Sequence, residues 1–142
     1  MITHKWIVGA GELTDIYNIR HIVFIEEQNV PKEDEMIPEE DARSHHIIIY
    51  KNNLPIATGR VMLDCGKYVL GRIATLKEHR GQGYGKFVTQ KLIGKAFELG
   101  AGEIVLSSQT HAKGFYEQFG FKAFTDEYMD AGIPHVSMRL GK

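Results

Sequence analysis

The sequence predicts an α/β chain of the α+β kind: a mixed, mostly antiparallel sheet of about seven strands with helices on both faces. Three observations carry that expectation. Apolar runs between His45 and Leu76 are interrupted by Asn52-Asn53 and Gly66-Lys67, the pattern of strands joined by tight turns. Tyr84, Val88, Leu92, Ala96 and Leu99 recur at the spacing of one helical face. Between these patterns lies Arg80-Gly81-Gln82-Gly83-Tyr84-Gly85, a glycine-rich turn leading from strand into helix. The expected order is β-α-β-β-β-α-β-α-β-β.

The elements follow in turn. His4 to Val8, around Trp6, is a short strand. Leu13, Ile16, Tyr17, Arg20, Val23 and Phe24 keep helical spacing, and the helix must end before Pro31. Arg20 sits on that apolar stripe, either packing its stem under a solvated head or holding an acidic loop or substrate. From Glu26 to Asp41 the chain is strongly acidic, opposed only by Lys32, and Pro31 and Pro38 argue for loop or short helix there. Such a run is either a solvated surface or an electrostatic funnel for a cationic amine. His45 to Lys51, Leu54 to Leu63 and Tyr68 to Leu76 are the meander, with Pro55 suited to an edge or a strand start. Gly100 and Gly102 stop the long helix. Ile104-Val105-Leu106 marks a strand, Glu103 to Gln109, expected to be buried on both faces. Thr110 is positioned to cap a short helix carrying Phe115, Tyr116 and Phe119 inward, ending at Gly120. Gly114 within it suggests close packing. Phe121 to Thr125 and His135 to Leu140 are the last strands.

Composition bounds the function. A chain of 142 residues with 43% hydrophobic and 25% charged residues suits one globular domain spanning residues 1–142. A formal net charge of −1 supplies no overall basic field, so nucleic acid is not an expected partner. The single cysteine, Cys65, lies in a turn and fits a cytoplasmic setting. The first residues lack a signal-peptide pattern, and no apolar run is long enough to span a bilayer.

The glycine-rich turn carries the chemistry. First-turn N–H groups have no intrahelical partner, the helix dipole adds positive potential, and the glycines remove Cβ atoms that would hold a phosphate away. Arg80 and Lys86 add charge at the rim. No Ser or Thr follows a Gly-Lys pair, as a nucleotide triphosphate loop requires, and Gly81-x-Gly83-x-Gly85 is not the dinucleotide fingerprint. Arg80, Gly83 and Gly85 fill the pattern Arg/Gln-x-x-Gly-x-Gly/Ala, which resembles the acetyl-CoA pyrophosphate loop of the GNAT superfamily of N-acetyltransferases. Val23 to Gln28, His45-His46, Gly71-Arg72-Ile73, Phe115 to Phe121 and Gly132 to His135 are similar to the ElaA/YjcF-like branch of that superfamily.

The resemblance implies a GNAT fold and transfer of acetyl from acetyl-CoA, as co-substrate, to a small-molecule or peptide amine. The alternative is a non-catalytic acetyl-CoA-binding sensor. It implies that Ile73, Ala74 and Thr75 bond the pantetheine arm. It also implies that Arg80, Gly81, Gln82, Gly83, Tyr84, Gly85 and Lys86 hold the pyrophosphate, with Gln109, Ala112 and Phe115 completing the cofactor surface. Tyr116 stands where the family places the general acid for the departing thiolate. Acceptor-site candidates are Phe24, Asp41, His45, Arg60, Arg72, Glu127 and His135. The base is left open among His45, His46, Glu127, Asp41, His135 and a water chain. Strand alternation sends His45 and His46 to opposite faces. Arg60 and Arg72 suit an acceptor carboxylate or phosphate if their heads enter the cleft. No metal site is expected, since the two adjacent histidines cannot share one face and no cysteine pair exists. An exposed strand edge offers a route to a homodimer.

Overall fold

Ile47 and Ile49 point to one side of their strand and Ile48 to the other, yet all three are fully buried. A strand with two apolar faces needs cover on both, and the computed structural model, describing residues 1–142, supplies it. The strands are β1 (Ile2–Val8), β2 (Ser44–Lys51), β3 (Leu54–Asp64), β4 (Lys67–Thr75), β5 (Glu103–Gln109), β6 (Lys122–Ala123), β7 (Tyr128–Asp130) and β8 (Ile133–Gly141). They form one eight-stranded sheet in the order β1-β2-β3-β4-β5-β8-β6, with β7 paired to β8. Only the β4–β5 pair is parallel. The mixed, mostly antiparallel sheet is thus as expected, and β7 is one strand more.

The face carrying Ile47 and Ile49 is covered by α4 (Tyr84–Glu98) through Val88, Leu92 and Ala96. The Ile48 face is covered by α1 (Thr14–Arg20) and the π-helical turn His21–Glu27, through Leu13, Ile16, Ile19 and Val23. Fully burying one such side chain contributes about 1.5–3 kcal/mol, so these two stripes dominate the seating of the helices. Gly59 lets α4 approach β3: a Cβ there would lie 2.8 Å from Leu92 Cδ1 and from Val88 Cγ1. At the far end Ala101 N–H donates to Ala96 and Gly100 N–H to Phe97, with Gly100 at φ +108°. That is the glycine stop the sequence predicts, and it leaves Leu99 outside the helix.

Several local expectations differ. Of the loop and short helix that the acidic segment allowed, it forms short helix twice, α2 (Lys32–Glu35) and α3 (Pro38–Ala42), and Pro38 opens the second from the first helical position. Pro55 lies in central β3, tolerated because the β2–β3 register shifts beside its partner Tyr50. Val105 is only half-buried, so β5 buries one face fully and the other in part. Thr110 opens a 3₁₀ turn ahead of α5 (Lys113–Glu117) and makes no side-chain cap. A Cβ at Gly114 would meet nothing within 4 Å, which removes the close packing expected there.

Candidate active site

The parallel pairing of β4 with β5 ends at Leu70 opposite Leu106, although β4 runs on to Thr75 and β5 to Gln109. Beyond that point the strands separate and the sheet opens. A bulge helps: Thr58 pairs with Ala74 and Arg60 with Gly71, so Arg72 and Ile73 together oppose Gly59. Arg72 takes φ +52°, a left-handed conformation that costs a non-glycine residue about 1–3 kcal/mol. The opening therefore exposes β4 backbone groups with no ladder partner on the β5 side.

At the Thr75 end the glycine turn leads into α4. Gly81 (φ +76°) and Gly83 (φ +88°) are left-handed, and an added Cβ at either meets nothing within 4 Å. They are glycines for conformation and for open approach, not to avoid an internal clash. No side chain caps α4, so its first N–H groups face outward. A cavity of about 570 Å³ lies here, lined by Ile73, Ala74, Thr75, Arg80, Gly81, Gly83, Tyr84, Gly85, Lys86, Ala112 and Phe115. All of these are residues that the resemblance assigns to the cofactor; Val23, Glu27, Gln28, His79 and His111 line the cavity too. Gln82, by contrast, is exposed and off the lining, and Gln109 lies deeper. The Arg80 side chain donates to Thr75 O at 2.9 Å and to Glu27 Oε1 at 3.0 Å, tying the turn to β4 and to the π-helical turn.

Within the opening, a cavity of about 370 Å³ is lined by Ile73, Arg60, Arg72, Gln109, Ala112, Tyr116 and His135 among others. It joins a further cavity of about 320 Å³, with Phe24, Gln28, Glu40, Arg72, Gln109, Asp130 and His135 common to both. Gln109 spans the cleft, donating to Gln28 Oε1 at 2.9 Å and standing 2.7 Å from His111 Nε2. Burial alone pushes the Tyr116 phenol up to about 12, so it holds its proton at neutral pH.

Arg20 explains the acidic segment. Fully buried, it donates through Nε to Glu35 Oε1 at 2.5 Å, through Nη1 to Asp41 Oδ1 at 2.8 Å, and through Nη2 to Glu35 O at 2.9 Å. Of its two sequence readings, holding an acidic loop is the one the structure has. Arg60 donates to Asp41 Oδ1 at 2.7 Å and to Glu40 Oε1 at 2.9 Å. Arg72 Nη2 donates to Asp34 O at 3.1 Å, and its Nε lies 3.4 Å from Glu35 Oε1. Burial and the neighbouring Arg60 and Arg20 charges pull Arg72 below its ordinary value. Three guanidiniums thus face Glu35, Glu40 and Asp41, and two buried atoms stay unpaired, Glu35 Oε2 and Arg72 Nε.

These contacts revise the acceptor candidates. Asp41 is 1% exposed and already bonded to Arg20, Arg60 and Tyr17, so it cannot serve as a free base. Arg60, 4% exposed, is likewise held by carboxylates through both terminal nitrogens, and Arg72 has a buried Nε with no hydrogen-bond partner. His45 lines a separate cavity with Val8, Val61, Tyr68 and Leu99, away from the opening. His46 is buried, with Nε2–H donating to Asp41 O at 3.1 Å. Glu127 is exposed and lines none of these cavities. Phe24, Arg60, Arg72 and His135 do line the cleft. Glu35, Asp130, Gln28 and His79 also line it or the glycine-turn cavity, and sequence reading passed over them. Asp130 belongs to a strand too short for periodicity, while Glu35 was one of eight like residues with nothing to single it out.

Comparison with known proteins agrees with this geometry. The model of a family described as the acetyltransferase (GNAT) domain matches residues 18–142. YjcF of Bacillus subtilis, an uncharacterized N-acetyltransferase, is 39% identical over 94% of this chain and 97% of its own. The crystal structure of Escherichia coli ElaA superposes with a TM-score of 0.86 at 27% identity, covering 98% of this chain and 99% of that one. An acyl-CoA N-acyltransferase from Pseudomonas aeruginosa gives 0.83 at 26% identity, with the same coverage.

Proposed function

The chain belongs to the GNAT acetyltransferase family and is an acyltransferase, and from that premise we propose that it moves acetyl from acetyl-CoA to a small-molecule or peptide amine by direct attack. The observation that carries the reading is the separation of β4 from β5 beyond Leu70 and Leu106. It connects the glycine-turn cavity to the cleft that Tyr116 lines, a path suited to a long thioester substrate.

The pyrophosphate rests on the N–H groups from Gly81 to Lys86, where the α4 dipole and Lys86 favour negative charge. Free β4 backbone groups around Ile73 to Thr75 bond the pantetheine arm and aim the carbonyl into the cleft. The amine nitrogen forms the new C–N bond, and charge that develops on the carbonyl oxygen meets a fixed β4 N–H. As the C–S bond breaks, the thiolate takes the Tyr116 proton, and the phenolate recovers one from water. With its phenol at about 12, Tyr116 is protonated at neutral pH and has a proton to give as the thiolate leaves. With Glu35 and Glu40 offset by Arg20 and Arg60, Asp34 and Asp130 still outnumber Arg72 along the inner cavity, which favours a cationic amine.

CoA release from acetyl-CoA, followed with a thiol reagent against polyamines, cadaverine, aminoglycosides, amino sugars and lysine peptides, tests the reading. Tyr116→Phe should lower turnover about 10²-fold while leaving acetyl-CoA affinity unchanged. Acetyl-CoA binding with no amine-dependent release from the wild type would overturn transfer. Full activity in Tyr116→Phe would remove Tyr116 from the mechanism.

A further inference from the structure

His135 stands on β8 directly opposite Gln109 of β5 and Tyr128 of β7, so the three side chains share one face of the sheet. Its Nδ1 lies 2.7 Å from Ile133 O. A carbonyl only accepts, so in the neutral ring Nδ1 carries the proton and Nε2 carries the lone pair. The imidazole stacks on Tyr128 with centroids 6.3 Å apart and planes 21° apart. The Tyr128 hydroxyl is in turn fixed by Ser107 and Ser137 at 2.6 and 2.8 Å. Ring position and tautomer are therefore both set by neighbours, while the residue lines both inner cavities, one of them with Tyr116.

Given the transfer reading, on which this inference rests, we infer that His135 Nε2 is the general base that deprotonates the acceptor ammonium. Of the other side-chain candidates, His46 and Asp41 are bonded internally, and His45 and Glu127 lie elsewhere. His111, which shares the larger cavity, is exposed and lies toward the glycine turn, where it also lines the donor's cavity. The titratable groups sharing its cavities are Asp34, Glu35, Glu40, Arg60, Arg72, His111, Asp130 and Tyr116, with Tyr128 against the ring. Of the carboxylates, Glu35 and Glu40 are held by Arg20 and Arg60. Carboxylates with ordinary pKa values near 4 are also poorly matched to an ammonium, whereas an imidazole is basic near neutrality. Nε2 takes the ammonium proton, the freed nitrogen lone pair forms the C–N bond, the thiolate leaves with the Tyr116 proton, and the imidazolium proton passes to water.

The test compares cadaverine, cationic at pH 7, with hydroxylamine, which is neutral there and needs no base before attack. His135→Gln should slow acetylation of cadaverine about 10²-fold and that of hydroxylamine by no more than about threefold. In the wild type the acid limb of the cadaverine pH profile reports this base. In the variant that limb should move upward to follow the amine's own ionisation. Imidazole in the buffer should partly restore His135→Ala. Equal loss with both amines, or no loss, overturns the proposal. A readout independent of turnover is long-range ¹⁵N–¹H correlation on histidine-labelled wild-type protein. It should find the His135 proton on Nδ1, and a proton on Nε2 overturns the proposal by itself. Wild-type protein inert toward both amines would count against acetyl transfer instead, and the tautomer measurement would still decide His135.

Discussion

Three donors meet at the Asp41 carboxylate: Arg20, Arg60 and the Tyr17 hydroxyl, while its backbone carbonyl takes His46 Nε2–H. Burial pushes the Asp41 carboxyl up, but the two guanidiniums outweigh it and hold it below the usual carboxylate range. Its ionised form therefore stabilises the fold at neutral pH, and that contribution decays as pH falls below about 4, through the depressed value. His46 is also depressed, mainly by burial. The unfolded chain then binds the proton more readily, so stability begins to fall on acidification past about 6.5. Chemical-denaturation midpoints against pH should show two declines, and His46→Gln should flatten the upper one. Asp41→Asn should cost about 1.5–3 kcal/mol, because it removes the carboxylate that Arg20 and Arg60 share and leaves each with one carboxylate partner, Glu35 and Glu40. A loss under about 1 kcal/mol would mean that the cluster does not hold α2 and α3. Composition could report the abundance of acid in this segment, but not that its charges turn inward. The partners of Asp41 lie 19 to 24 residues away in sequence, and no local pattern links them.

At the scale of elements, periodicity was informative wherever an element was long. The spacing of α4 gives its buried stripe at Val88, Leu92 and Ala96, and its glycine stop falls where expected. The bulge in β4 was not legible, since it depends on Gly59 in the neighbouring strand and on α4 above it. Gly59→Ala places a methyl 2.8 Å from the ends of Leu92 and Val88, side chains that can shift only by disturbing the core. The expected cost is about 1–3 kcal/mol, read as a lowering of Tm by several degrees. An unchanged Tm would show that α4 has slack over β3. Short pieces are hard to read for a related reason. β7 has three residues and α2 four, below the length at which period-2 and period-3.6 patterns separate.

At the scale of the molecule, the glycine turn, the opened strands and the cleft form one continuous surface, so acetyl-CoA binding should stabilise the whole fold. At 100 times its Kd, acetyl-CoA should add about 2.7 kcal/mol, seen as a rise in Tm of roughly 6–10 °C. Absence of any rise at millimolar acetyl-CoA would remove the donor site. No helix is long and apolar enough to cross a membrane, and the sheet ends at β1 and β6, the two edges open to strand pairing. The sequence by itself determined the mixed sheet, the two long covering helices and the glycine turn, because these are written in short-range periodicity and in residues with restricted backbone preferences. It also supplied the resemblance that the family match bears out. Only the tertiary structure decided which histidine lines both inner cavities with its ring fixed by neighbours and which arginines are held by carboxylates. Those facts depend on pairs far apart in the chain, such as Arg20 with Glu35, Arg60 with Asp41 and His135 with Tyr128. Identical side chains become base, structural donor or surface residue according to what the fold sets beside them.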